Sequence, residues 1–137
     1  MSLFYFVAKK LTNAFIHIAF RMRYEGKENI DQRGGFMVCS NHRTVLDPLF
    51  IAQKIRPQLF FMAKQELFKN WFFGAIIKGL GAFPVERGKG DNSAIDFAVD
   101  TLKSGKVLAM FPEGTRSKDG TPGKPKSGAA LVAMQTK

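Results

Sequence analysis

The sequence is poor in several residue types and patterns, and each scarcity excludes a class of protein. A single cysteine among 137 residues excludes an internal disulfide framework and a multi-cysteine metal site. Two histidines exclude most histidine-rich metal centres, so we expect no metal site. No apolar run reaches the roughly 18–20 residues that a membrane-spanning helix needs. The charge-free run 11–20, for example, is bounded by Lys10 and Arg21.

Basic residues are in excess, with 21 Lys+Arg against 11 Asp+Glu and a net charge of +10. Such an excess favours an anionic partner, which could be nucleic acid, anionic lipid, or an acidic protein or ligand. The charge is spread along the whole chain, and no Lys/Arg block reaches five residues. A nucleic-acid interface usually concentrates its charge on one helix or stripe. The pattern therefore favours a membrane-facing or anion-handling surface, and we expect no nucleic-acid partner.

Strand-like and helix-like segments alternate from Gly34 onward. Short apolar runs predict four strands, at 36–39, 59–63, 82–85 and 107–111. Periodic segments predict helices at 47–54, at 67–80, from an Asp91 or Asn92 N-cap to Gly105, and from 127. This order is typical of an α/β fold with a mostly parallel sheet flanked by helices. The length fits one domain, and we expect Cys39 to be buried in its strand.

The first twenty residues predict an amphipathic helix, for which two interpretations remain open. Apolar residues recur at helical spacing along one side: Phe4, Val7, Leu11, Phe15 and Ile18. Lys9, Lys10 and Asn13 are expected on the opposite side. The apolar stripe could pack on the core of the domain. Alternatively, the helix could lie in a membrane interface, with aromatic side chains inserted and lysines toward anionic headgroups.

Polar loops follow three of the predicted strands, at the ends where α/β sheets usually bind ligands. His42 and Asp47 follow the first strand, residues 86–88 follow the third, and residues 112–116 follow the fourth. Because the carboxyl ends of parallel strands meet at one edge, we expect these three loops to converge there. The convergence predicts the position of a functional site.

His42 and Asp47 are candidates for a general base and the residue that orients it. On a continuous helix, five residues turn about 500°, so the two side chains could not pair. Asp47 precedes Pro48 and is biased away from helical geometry, so a short loop can fold its carboxylate onto the imidazole. That contact would fix the tautomer and leave the other ring nitrogen free to accept a proton. The alternatives are an ordinary loop histidine, and Asp47 as N-cap of the following helix.

Arg87 and Arg116 are candidates for binding an anion. A guanidinium binds phosphate bidentately, and Gly88 and Gly114 let the backbone come close. Taken alone, each arginine is better explained by a solvated side chain. Glu113 could equally be a surface carboxylate or a partner of one of these arginines.

Three segments resemble the signature blocks of the glycerophospholipid acyltransferases, in the family's order and at its usual spacing. They are residues 41–48 (NHRTVLDP), 81–88 (GAFPVERG) and 111–117 (FPEGTRS). The resemblance covers roughly residues 25–137. It is greatest to the bacterial type that acts on lysophosphatidate (1-acylglycerol 3-phosphate).

The resemblance implies transfer of a fatty acyl group from a thioester to the free hydroxyl of lysophosphatidate, giving phosphatidic acid. The co-substrate is acyl carrier protein or coenzyme A thioester, and no metal or redox cofactor takes part. Glycerol 3-phosphate or another lysolipid is the alternative acceptor. His42 is implied as general base and Asp47 as the residue that orients it. The implied residues that hold the acceptor's phosphate and shape the site are Arg87, Glu113, Gly114, Thr115 and Arg116.

These interpretations divide the chain into two parts. We expect residues 1–24 to form a membrane-interface helix, peripheral on the cytoplasmic side of the cell membrane and in contact with anionic lipid. Residues 25–137 are expected to form the acyltransferase domain. The family's fourth block, an apolar strand with prolines, is not in the sequence, so we expect the domain to be C-terminally incomplete. A second hypothesis is therefore a basic interfacial lipid-binding module, or an inactive fragment, without catalysis.

Overall fold

The computed structural model describes residues 2–30, 32–86 and 92–137, which contain four strands and five α-helices. The strands are β1 (Met37–Cys39), β2 (Leu59–Lys64), β3 (Ala82–Val85) and β4 (Val107–Met110). The helices are α1 (Leu3–Ala19), α2 (Asp47–Ala52), α3 (Trp71–Gly79), α4 (Asn92–Lys103) and α5 (Gly128–Gln135). The sheet is parallel throughout, in the order β1-β4-β2-β3, which confirms the predicted α/β fold. None of the helices in these ranges is long and apolar enough to cross a membrane.

Strand β4 lies inside the sheet, between β1 and β2, and all its side chains are buried. Side chains alternate along a strand, so Leu108 and Met110 face one layer while Val107 and Ala109 face the other. The first layer is built from helices α4 and α5 and contains Ala98, Val99, Ala129 and Val132; the second contains Ile55 and Leu59. Burial on both faces explains why β4 is a continuous apolar run.

Two predictions about individual elements were wrong. The segment 67–80 is not one helix, because the Asn70 side chain accepts a hydrogen bond from the Phe73 N–H and starts α3 after a short 3₁₀ helix at Gln65–Phe68. Cys39 is exposed rather than buried, since it ends a three-residue strand at the edge of the sheet. The predicted cap Asp91 lies outside the described residues.

Helix α1 packs on the domain along the side that carries Lys9, rather than along the predicted apolar stripe. Its buried residues are Tyr5 and Ile16, and the Lys9 ammonium donates to the carbonyl oxygen of Ile55. The Tyr5 hydroxyl oxygen accepts a hydrogen bond from the Leu59 N–H at 3.0 Å. The five residues of the predicted apolar stripe stay exposed, at 48% to 88%: Phe4, Val7, Leu11, Phe15 and Ile18. Helix α1 thus packs on the domain, as one interpretation expected, but through Tyr5 and Ile16 rather than through the stripe.

Candidate active site

The candidate site forms at the carboxyl ends of β1 and β4, which are neighbours in the sheet. Cys39 pairs with Met110 at these ends, so the loops that follow the two strands run side by side. The Ser117 N–H donates to the carbonyl oxygen of His42 at 2.7 Å, and the His42 N–H donates to Glu113 Oε1 at 3.3 Å. Both backbone polar groups of His42 are thus tied to the loop after β4.

The His42 imidazole is bound to the Asp47 carboxylate, with 2.8 Å between Nδ1 and Oδ2 and both side chains largely buried. Oδ2 also accepts the N–H groups of Arg43 and Thr44, at 2.7 and 2.9 Å, and Oδ1 accepts the Thr44 hydroxyl. The loop therefore folds Asp47 back onto the imidazole, as its position before a proline allows. The alternative of Asp47 as N-cap is wrong, because Leu46 holds the cap position of α2 and no side chain caps this helix.

The hydrogen bonds around Asp47 favour its ionised form. Partial burial would by itself raise the pKa of this carboxyl. The donors from Thr44, His42 and Arg43 together outweigh that effect and hold the pKa below its ordinary value. An ionised carboxylate selects the tautomer of His42 that carries its proton on Nδ1. The remaining ring nitrogen, Nε2, is then able to accept a proton from a substrate.

An aromatic ring fixes the imidazole from a second direction. Phe111, the first residue after β4, stacks on His42 with 4.1 Å between ring centroids and 19° between ring planes. The stacking restricts the ring plane, while the bond to Asp47 restricts rotation within it. The sequence placed Phe111 in a signature block without a role. Its position directly after the strand that neighbours β1 was the available signal.

Glu113 is buried, and each of its two carboxylate oxygens accepts a backbone N–H. Oε1 accepts from His42, and Oε2 accepts from Gly123 at 3.0 Å. The carboxylate therefore links the loop that carries His42 to the chain that leads into α5. Glu113 therefore helps to shape the site, since both of its carboxylate oxygens are used in hydrogen bonds to the backbone.

A pocket of about 230 Å³ opens beside His42. Most of its described wall is apolar and consists of Met62, Val85, Ala94, Ala109, Met110 and Phe111. Apolar walls with a few polar groups are usual for small-molecule sites. His42 follows β1, Glu86 follows β3 and Gly114 follows β4, and all three line this pocket. The predicted convergence of three loops is therefore confirmed.

The other predicted site residues are not all brought to the pocket. Gly114 is in its lining, whereas Thr115 and Arg116 are exposed and are not among the described lining residues. Arg87 and Gly88 lie outside the described residues. Sequence reasoning missed Lys126, which lines the pocket but belongs to no signature block and sits in a loop rich in lysine, glycine and proline.

Comparisons with known proteins show which family the chain belongs to. Residues 21–137 match the family model described as Acyltransferase. The 1-acyl-sn-glycerol-3-phosphate acyltransferase of Bacillus subtilis is 36% identical over 81% of this chain and 55% of its own length. The Streptococcus pneumoniae protein of the same name is 40% identical over 78% of this chain and 40% of its own length.

A solved structure is also similar. The crystal structure of the 1-acyl-sn-glycerophosphate (LPA) acyltransferase PlsC from Thermotoga maritima superposes with a TM-score of 0.75 at 30% sequence identity. The match covers 93% of this chain and 53% of that one. The chain thus spans about half the length of the relatives it matches. Because the family model matches most of the chain, the protein belongs to the acyltransferase family.

Proposed function

We propose that the protein transfers a fatty acyl group from a thioester to the free hydroxyl of 1-acylglycerol 3-phosphate, giving phosphatidic acid. The observation that carries the proposal is the His42–Asp47 pair, 2.8 Å apart, in the wall of a mainly apolar pocket. The Bacillus subtilis and Streptococcus pneumoniae relatives are named for this acceptor, which supports the choice. Acyl carrier protein and coenzyme A thioesters are both candidate donors.

In this proposal His42 acts as the general base through Nε2. It takes the proton of the acceptor hydroxyl as that oxygen attacks the thioester carbonyl carbon. The tetrahedral intermediate then collapses, the C–S bond breaks, and the imidazolium returns the proton to the leaving thiolate. The positioned base would contribute about 10²–10⁴-fold to the rate. Asp47 stabilises the imidazolium that forms in between.

The acceptor's phosphate needs a cationic partner close to the reacting hydroxyl. Arg87 and Arg116 remain the proposed phosphate ligands, on the strength of the family resemblance, with Thr115 beside them. Gly114 and Glu113 would shape the loop that presents this region, consistent with the hydrogen bonds that Glu113 makes to His42 and Gly123. The apolar wall of the pocket suits the hydrocarbon part of either substrate.

We also propose that α1 lies in a membrane interface, on the cytoplasmic side and against anionic lipid. The contacts between α1 and the domain include polar groups of Tyr5 and Lys9, and most of the large apolar side chains of the helix are exposed. Leu3 and Ile18 are among the most exposed of them, at 78% and 88%. Arg21 follows the helix and adds a positive charge. Each such charge near an anionic membrane surface contributes about 1 kcal/mol to the free energy of binding.

The proposal is tested by an acyl-transfer assay on His42→Ala, with His17→Ala as matched control. His17 is exposed on α1, where its ring contacts the backbone carbonyl of Asn13. Lysophosphatidate and glycerol 3-phosphate serve as alternative acceptors, and both thioester classes serve as donors. We expect H42A to lose transfer by at least about a hundredfold and H17A to retain it. Transfer by H42A at the wild-type rate would refute His42 as the base.

The same assay separates the proposal from its non-enzymatic alternative. Wild-type protein that binds anionic vesicles but consumes no thioester with either acceptor would be a basic interfacial lipid-binding module. A preference for glycerol 3-phosphate over lysophosphatidate would keep the chemistry and change the acceptor.

A further inference from the structure

Lys126 is held beside the candidate base by the loop that follows β4. Its backbone N–H donates to the carbonyl oxygen of Pro112 at 2.8 Å. This hydrogen bond ties Lys126, near the end of the loop, to Pro112 at its start. Its side chain lines the same pocket as His42. Lys126 is the one cationic residue in the described lining of this pocket.

The side chain of Lys126 lies across the bare α-carbon of Gly114. A β-carbon on Gly114 would be 3.2 Å from Nζ and 3.3 Å from both Cδ and Cε of the lysine. The backbone of Gly114 has a φ of +70°, which disfavours any other residue. Glycine at position 114 therefore leaves the space that the lysine side chain occupies on its way to the pocket.

The positive charge of Lys126 has no close partner in the described part of the protein. None of the ion pairs there includes its ammonium. Glu113, the buried carboxylate nearby, accepts backbone N–H groups with both oxygens. Glu86 is the acidic residue in the described lining of the pocket, where it has interactions of its own. A small-molecule pocket that offers an imidazole and an ammonium without an ion pair among the described residues is suited to a ligand with an anionic group.

The chemistry of the acceptor places its anionic group close to the base. In 1-acylglycerol 3-phosphate, the phosphate ester is on the carbon next to the one that bears the reacting hydroxyl. When that hydroxyl meets His42, the phosphate must therefore lie in the same pocket or at its mouth. Both Arg116 and Lys126 are exposed, but only Lys126 is in the described lining of this pocket.

We propose that Lys126 binds the acceptor's phosphate. The absence of a side chain at Gly114 leaves the space through which the lysine side chain extends to that phosphate. The inference rests on the proposed function for the identity of the acceptor. It adds a specificity-determining residue that lies outside the three signature blocks. It also gives Gly114 an indirect role, since the glycine acts through the position of Lys126.

The test is equilibrium binding of a short-chain lysophosphatidate, with the matching monoacylglycerol as the acceptor analogue that lacks phosphate. Lys126→Met removes the charge and keeps an unbranched side chain. Lys124→Met is the matched control, because it removes the same charge from the same exposed loop but from a residue outside the described lining. We expect K126M to weaken lysophosphatidate binding by roughly tenfold to a hundredfold and to leave monoacylglycerol binding unchanged. K124M should match the wild type, and Lys126→Arg should retain most of the preference for the phosphorylated ligand.

A double-mutant cycle tests the role of Gly114. If Gly114→Ala acts by displacing the lysine side chain, it weakens lysophosphatidate binding in the wild type and has little further effect in K126M. Equal losses in both backgrounds would overturn that part of the inference. Equal losses in K126M and K124M, or no preference of the wild type for the phosphorylated ligand, would overturn the role of Lys126. A wild type that binds lysophosphatidate through Lys126 but transfers no acyl group would instead refute the proposed function and leave this inference standing.

Discussion

Helices α1 and α4 are both amphipathic, but the domain covers the apolar face of only one of them. In α4, Ala98 and Val99 are 0% and 6% exposed and pack against the sheet and α5. In α1, Leu11 and Phe15 are 66% and 57% exposed, while Lys9 on the other side contacts the domain. Helical periodicity thus identifies the apolar side of a helix without showing what covers it. Polar substitutions on the two faces should therefore differ in how far they lower the free energy of unfolding.

The largest expected effect is on the buried face of α4. Val99→Asp places a carboxylate among apolar neighbours, and should lower the free energy of unfolding by about 3 kcal/mol or more. Leu11→Gln on α1 keeps helix propensity and should change the same quantity by less than about 0.5 kcal/mol. Both values can be measured by urea unfolding followed by circular dichroism. Comparable losses in the two variants would show that the apolar face of α1 is covered after all.

A second effect should appear only on α1 and only with lipid present. The double variant Leu11→Gln/Phe15→Gln removes two exposed apolar side chains from the proposed interface. Its binding to vesicles of anionic phospholipid should weaken by about tenfold or more. Met134→Gln is the control, because Met134 is 70% exposed on α5, away from α1. Vesicle sedimentation measures both, and equal weakening in the two variants would contradict a membrane role specific to α1.

The sequence predicted much of the fold because the sheet is built from short apolar runs between periodic segments. The boundaries of β3 were predicted to the residue, and those of β4 to within one. The strand order could not be derived, since it depends on which strands pair in three dimensions. The break before α3 was missed because Asn70 stands in a mainly apolar segment, and its presence beside Lys69 does not show whether it caps a helix. The docking face of α1 could not be derived, because it includes Lys9 and Tyr5, whose polar atoms are satisfied by the domain.

In the candidate site, too, the contacts between residues close in sequence could be predicted, whereas those that depend on the tertiary structure could not. His42 and Asp47 are five residues apart, and a proline next to Asp47 was enough to predict that a loop pairs them. The stacking of Phe111 on His42 depends on β1 and β4 being neighbours, which no local pattern reveals. Lys126 reaches the pocket because the loop after β4 folds back and places the lysine side chain over Gly114. Its sequence neighbourhood is that of an ordinary solvated lysine.

The smallest expected effect comes from removing the hydroxyl of Tyr5, on the side of α1 that packs on the domain. Tyr5→Phe leaves the buried Leu59 N–H without its acceptor, and should lower the free energy of unfolding by about 1–2 kcal/mol at neutral pH. Burial raises the pKa of Tyr5 above its ordinary value, despite the opposing hydrogen bond from Leu59. Because the pKa is raised in the folded state, the protonated hydroxyl contributes its full stabilisation below about pH 10, the unfolded pKa. This stabilisation is lost as the pH rises through the folded-state pKa. The stability difference between wild type and Y5F should therefore narrow above about pH 10. Urea unfolding at pH 7 and at pH 10.5–11 measures it, and a difference that stays constant over this range would show that the hydroxyl does not titrate with folding.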